Sequence, residues 1–185
     1  RRELMDLVER MQGAFTTIAK SKIPTIALAH GFCIGGATSL VSACDIRLAT
    51  KDAKFSIGET KLGLVADVGV IQRMPNIVSS GDMNELALTG RIFDGLHAEK
   101  IRFVSKTYNN SNDLFDAGDK LANEIASNST RIVQATKQAL EKSSNLTIDQ
   151  GLEYAKLWST SFLVSEDLRE GVMAFLEKRE PKFNE

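Results

Sequence analysis

Apolar residues near the start of the chain recur at helical spacing, with Leu4, Leu7, Met11 and Phe15 marking one face of an amphipathic helix that runs to about Ala19. Pro24 ends that tendency, because the residue before a proline is pushed out of the helical region. The following TIALAH is short and apolar and reads as a buried strand. Gly31 to Gly36 reads as a loop with a glycine pair, and ATSLVSAC returns to helix. Asp45 to Thr50 predicts a second strand, followed by the polar turn KDAK and a short strand at FSI. From Ser80 the pattern is largely helical. A helix covers GDMNELAL, and Asp94 is placed to cap another over Gly95 to Phe103. After a polar break at Asn109 to Asp113, helices are expected over Leu114–Ala126, Thr130–Lys142, Ile148–Phe162 and Glu166–Glu177. Thr147 with Gln150 fits a capping box, and Ser165 fits a cap with Glu166 and Asp167 in the first turn.

Strand, glycine turn, helix, strand is a βαβ-like rhythm, so the chain reads as α/β with a helical extension. GFCIGG lacks the third glycine of a dinucleotide fingerprint, and no GK[ST] follows it to make a phosphate loop. The length of 185 residues and 43% hydrophobic content suffice for one domain of moderate size with a core. Twenty-three basic and twenty-four acidic residues leave a formal charge of -1, with no basic stripe, which argues against a nucleic-acid partner. No run reaches the length of a membrane span, and the opening RRELMDLVERMQGAF is amphipathic rather than a signal peptide. It begins inside a helix pattern, so the residues are expected to be the later part of a longer chain. Cys33 and Cys44 lie in apolar sequence and read as buried reduced thiols rather than a disulfide.

The candidate chemistry lies between His30 and Pro75. Gly35 and Gly36 stand at the mouth of a helix, where free N–H groups can hold a developing oxyanion and a substrate can approach the backbone closely. A tight turn chosen for packing would carry the same pair. Glu59 and Asp67 lie in mostly apolar sequence, and two separated carboxylates can divide proton removal from proton return. The plainer alternatives are a cap or loop residue for Glu59 and a turn residue for Asp67. Ser39 follows Gly36 by three residues on the same helix. It has no GxSxG setting or placed histidine, so it reads as a pocket-lining or packing hydroxyl. His30 is expected to fix a loop and His97 to lie on a helix surface, and two isolated histidines do not make a metal site. Asp45 reads as a structural acceptor beside Arg47. Lys61 and Arg73 are weak candidates for a phosphate contact, and Trp158, Phe162 and Phe175 read as helix packing.

The segments HGFCIGG, SACDIRLAT, GETKLGL and ADVGVIQRMP resemble the crotonase, or enoyl-CoA hydratase/isomerase, family over essentially the whole chain. The resemblance implies a crotonase-like spiral of ββα units over residues 1–112, with the N-terminal part of the usual fold absent, and a helical trimerisation region over 113–185. It implies an acyl-CoA thioester whose oxygen sits between two backbone N–H groups, Gly36 supplying the second. No separate cofactor is implied, because coenzyme A is part of the substrate. Glu59 matches the carboxylate that hydratases retain, while Ser39 falls where hydratases carry their other catalytic glutamate. Asp67 matches a catalytic aspartate of the delta(3,5)-delta(2,4)-dienoyl-CoA isomerases, which makes that subgroup the nearest. That subgroup usually has an aspartate where this chain has Ser39, so one of its three acids is missing. A second departure is Arg102-Phe103-Val104, where the family often has Gly-Leu-Val. The alternatives are another enoyl-CoA isomerase or hydratase-like enzyme, or a non-catalytic acyl-CoA-binding paralogue. The resemblance further implies a homotrimer or hexamer, no membrane partner, and a bacterial cytoplasm, mitochondrial matrix or peroxisome. The tail KFNE carries no peroxisomal address.

Overall fold

A computed structural model of the chain describes residues 1–183. Two compact units emerge. One comprises Arg1–Ser21 with Thr25–Lys120, and the other Lys22–Pro24 with Leu121–Glu185.

The first unit opens with α1 (Arg2–Ala19), whose amphipathic pattern produces the expected helix. Two small sheets follow. One is parallel and contains β1 (Ile26–Ala29), β3 (Ile46–Thr50) and β6 (Lys106–Tyr108), in the order β1-β3-β6. The other contains β2 (Phe32–Ile34), β4 (Lys54–Ser56) and β5 (Phe93–Asp94), with β2 parallel and β5 antiparallel to β4. The chain thus alternates between sheets, β1 to β2 and β3 to β4, with α2 (Gly36–Ser42) crossing between the pairs. β2 corrects the expected loop over Gly31 to Gly36. Three extended residues escape a periodicity reading because the exposed Phe32 and Ile34 flank a buried Cys33.

Between β4 and β5 lie a 3₁₀ turn (Gly58–Leu62), α3 (Val70–Arg73), a second 3₁₀ turn (Met74–Asn76) and α4 (Ser80–Thr89). The core between these elements includes Ile57, Val70, Met74 and Leu86, all essentially inaccessible to solvent. Phe55, Phe93 and Phe103 form its aromatic centre, with ring centroids 5.5 to 6.3 Å apart. Truncating one such buried ring to alanine typically costs about 3–5 kcal/mol.

α5 (Gly95–Lys100) is capped by Asp94, whose carboxylate accepts from the His97 N–H at 2.9 Å. The helix stops short of the expected Phe103 because Arg102 adopts a left-handed conformation at φ 68°. That turn lets the Phe103 N–H reach the Ala98 carbonyl at 2.8 Å. Arg47 secures it by donating to the Phe103 carbonyl at 2.7 Å and the Cys44 carbonyl at 2.6 Å. Asp45 is a structural acceptor, receiving the Thr25 N–H and hydroxyl. α6 (Ser111–Ala126) begins in the first unit, where His30 meets Phe115 edge-on at 5.6 Å.

The second unit carries α7 (Thr130–Ser143), α8 (Ile148–Thr160) and α9 (Glu166–Glu177). The Thr147–Gln150 capping box is formed in both directions, and Ser165 caps α9 through the Leu168 N–H. The Trp158 indole donates to the Ala135 carbonyl at 3.0 Å, joining α8 to α7. Trp158, Phe162, Phe175 and Leu176 line an apolar cleft of about 670 Å³ within this unit. Glu170 on α9 grips the following segment, accepting both forks of Arg179 and the Lys182 N–H. No helix among the described residues is long and apolar enough to cross a membrane.

Candidate functional site

The glycine pair is positioned by two donors. The Gly35 N–H donates to the Ser56 carbonyl at 2.9 Å, and the Thr38 hydroxyl reaches the carbonyls of Cys33 at 2.5 Å and Ser56 at 3.0 Å. These contacts clamp the start of α2 against β2 and β4. Gly35 has φ 57° and ψ −118°, a conformation that side chains resist. The N–H of Gly36 opens the first turn of α2, where intrahelical acceptors are lacking.

Glu59 stands opposite this turn. Its 3₁₀ turn is held to α4 by the Thr60 hydroxyl, which donates to the Ala87 carbonyl at 2.7 Å. Ser56 adds a bond to the Gly90 carbonyl at 3.0 Å. The carboxylate comes so close to Gly35 that a β-carbon there would lie 3.3 Å from Glu59 Oε1. Glu59 Oε2 is buried and has no hydrogen-bond partner among the described residues. Such an oxygen ordinarily costs about 1–3 kcal/mol when nothing satisfies it. Ser39 is fully buried one turn into α2, its N–H on the Gly35 carbonyl at 3.1 Å and its hydroxyl likewise without a partner.

Asp67 is exposed, on the loop that leaves the 3₁₀ turn through the left-handed Gly63 and enters α3 through Gly69. The stretch between the two acids presents Leu62, Leu64 and Val65 to solvent, an apolar lip beside two carboxylates. Its neighbour α1 contributes a contact that the sequence did not reveal. Gln12 donates its side-chain amide to the Asp67 carbonyl at 2.6 Å.

Gly35, Gly36, Ser39 and Glu59 are therefore brought together through Gly35, while Asp67 occupies the adjoining loop. The other sequence candidates have different surroundings. Lys61 packs over Gly90, and Arg73 directs donors to the Val68 carbonyl and the Thr16 hydroxyl. Neither cysteine is in a disulfide among the described residues. Cys33 is buried and Cys44 half-buried, and burial pushes the Cys33 thiol up, away from the reactive thiolate. No group of three or more His, Cys, Asp or Glu side chains among the described residues is arranged to hold a metal.

The sequence profile of the enoyl-CoA hydratase/isomerase family matches residues 4–185. The chain belongs to that family. A mitochondrial delta(3,5)-delta(2,4)-dienoyl-CoA isomerase of Dictyostelium discoideum is 47% identical over 181 residues, covering 98% of this chain and 62% of the relative. A peroxisomal enzyme of the same name from Arabidopsis thaliana is 41% identical over 181 residues, covering 98% and 65%. The crystal structure of an enoyl-CoA hydratase from Bacillus anthracis superposes with a TM-score of 0.92 at 27% identity, over 99% of this chain and 70% of that one. The fold is thus crotonase-like α/β, with mixed helices and sheets. The chain spans about three fifths of the length of these two curated relatives.

Proposed function

We propose that the protein to which these residues belong isomerises a 3,5-dienoyl-CoA to the 2,4-dienoyl-CoA by carboxylate proton transfer. The observation that carries this reading is the Glu59 carboxylate, packed against the Gly35 turn with one buried oxygen that has no partner among the described residues. The names of the Dictyostelium and Arabidopsis relatives support the choice of subgroup.

In this mechanism the thioester oxygen accepts the Gly36 N–H and a second N–H supplied from outside these residues. Stabilising charge on that oxygen acidifies C2. Glu59 removes a proton from C2, and the electron pair spreads over an extended dienolate. Asp67 delivers a proton to C6, which leaves double bonds at C2 and C4 and no net change in composition. The exposed Leu62, Leu64 and Val65 suit an acyl chain beside the carboxylates. Ser39 cannot replace the acid that hydratases use to activate water, which disfavours hydration as the principal reaction.

We extend the proposal to architecture. The alternation between sheets in residues 1–112 is part of a ββα spiral, and 113–185 is an oligomerisation region in a trimer or hexamer. The relatives' names support a mitochondrial or peroxisomal setting.

The test is turnover of a 3,5-dienoyl-CoA by the full-length protein, read as appearance of the conjugated 2,4-dienoyl thioester, with 2-enoyl-CoA hydration in parallel. Fast isomerisation with weak hydration is expected, and Glu59→Gln and Asp67→Asn should each abolish it. Isomerisation at near-normal rate in either variant overturns that residue's role.

A further inference from the structure

The loop bearing Asp67 is fastened at two successive carbonyls by side chains from different parts of the first unit. Gln12 donates to the carbonyl of Asp67 itself, at 2.6 Å. Arg73 Nη1 donates to the Val68 carbonyl at 3.4 Å, and Arg73 Nη2 to the Thr16 hydroxyl at 3.1 Å. Gln12 and Thr16 are four residues apart on α1 and so lie on one helical face. The guanidinium covers Gly69 so closely that a β-carbon there would meet Arg73 Nη1 at 1.8 Å. Gly69 also holds φ 115°, a value other residues seldom adopt. Glycine at 69 thus leaves the space that Arg73 uses.

We infer that Gln12, Thr16 and Arg73 are positioning residues for Asp67, setting where its carboxylate stands relative to Glu59. The inference rests on the proposed role of Asp67 and adds to it the means by which an exposed loop residue keeps one location. A carboxylate on an unsecured loop samples positions an ångström or more apart. A misplacement of about 1 Å can cost about 10²-fold in rate. A shift of a third to a half of that, scaled evenly, predicts a loss of about four- to tenfold.

The experiment uses the full-length protein and separates the two half-reactions. Exchange of the C2 hydrogen with deuterated solvent reports proton removal, and product formation reports the whole isomerisation. Gln12 is exposed, so Gln12→Ala removes one donor and no core contact. The expected result is a four- to tenfold fall in kcat with KM within twofold. Gln12→Ala should slow the half-reaction that Asp67→Asn abolishes and leave untouched the one that Glu59→Gln abolishes. Gly69→Ala, which displaces Arg73, should show the same selectivity at an unchanged folded fraction.

Unchanged kcat in Gln12→Ala and Gly69→Ala, with Asp67→Asn inactive, overturns the positioning role alone. Equal loss in both half-reactions overturns it in favour of general support of the fold. Full activity in Asp67→Asn overturns the proposed function and this inference together.

Discussion

Replacing each glycine of the pair by alanine separates a structural contact from the proposed substrate contact. At Gly35 two costs combine. Its φ 57° and ψ −118° lie in a region where a residue with a β-carbon is strained by about 1–3 kcal/mol. The stiffer unfolded chain returns about 0.4–1 kcal/mol. The net destabilisation of Gly35→Ala is therefore about 0–2.6 kcal/mol. At about 2–4 °C per kcal/mol, the expected fall in Tm is up to roughly 10 °C. The new methyl would also stand 3.3 Å from Glu59 Oε1, so the carboxylate has to give by a few tenths of an ångström. By the scaling used for the Asp67 loop, that shift lowers kcat by about four- to tenfold.

Gly36 behaves oppositely. A β-carbon there meets nothing within 4 Å among the described residues, and its φ is not positive, so Gly36→Ala should leave Tm unchanged or slightly raised. The open space is where the proposed thioester must approach. Alanine keeps the N–H but its methyl would push the thioester aside, and a misplacement of about 1 Å predicts a fall in kcat/KM of about 10²-fold. Scanning fluorimetry and the dienoyl-CoA assay on both full-length variants decide the matter. Wild-type Tm and turnover in Gly35→Ala, or a larger fall in Tm for Gly36→Ala, would refute the assignment of these two roles.

Arg102 at φ 68° carries a left-handed strain of about 1–2 kcal/mol, offset in a glycine variant by about 0.4–1 kcal/mol of added chain freedom. Arg102→Gly should then raise stability by about 0–1.6 kcal/mol, and a lower midpoint in urea would contradict this. Ser39→Ala removes a buried hydroxyl that has no partner among the described residues, so stability should hold or rise by about 1 kcal/mol; a fall of that size would show that the hydroxyl is satisfied in the folded protein. The Glu170 carboxyl is lowered from its ordinary 4.5 to about 2, chiefly by the Arg179 hydrogen bonds and next by the Lys182 N–H. A lowered folded-state value means the grip on the segment after α9 is fully present above about pH 4.5 and is lost as pH falls through about 2. Hydrogen exchange at the Lys182 amide should be slower in wild type than in Glu170→Gln near neutral pH, the difference vanishing at the acid end; a difference independent of pH would rule this out.

Much of the fold was legible because long periodic helices and their caps announce themselves locally. The Thr147–Gln150 box, the Ser165 cap and the Asp94 cap need only side chains three residues from their targets, and each forms as its spacing predicts. β2 and β6 were missed because three-residue strands have too few positions to show alternation, and their partners lie some twenty and sixty residues away. The site was legible in part. Gly35 and Glu59 meet as motif residues, but Gln12 reads only as one polar position on an amphipathic helix. Its bond to the Asp67 carbonyl bridges 55 residues and leaves no mark on local pattern. Arg73, a candidate for phosphate in sequence, instead turns its donors inward because Gly69 leaves it room.

That long-range bond has a consequence for protein engineering. The segment from Glu59 to Arg73 looks like a self-contained cassette that could be grafted onto another scaffold of this fold to transfer its chemistry. A graft would carry the Asp67 carboxylate but leave behind the helix, 55 positions upstream, to which its backbone is tied. Transplanting the proposed reactivity therefore requires moving two distant stretches as one unit, and libraries that vary the Asp67 loop alone would sample sequences on an unanchored frame.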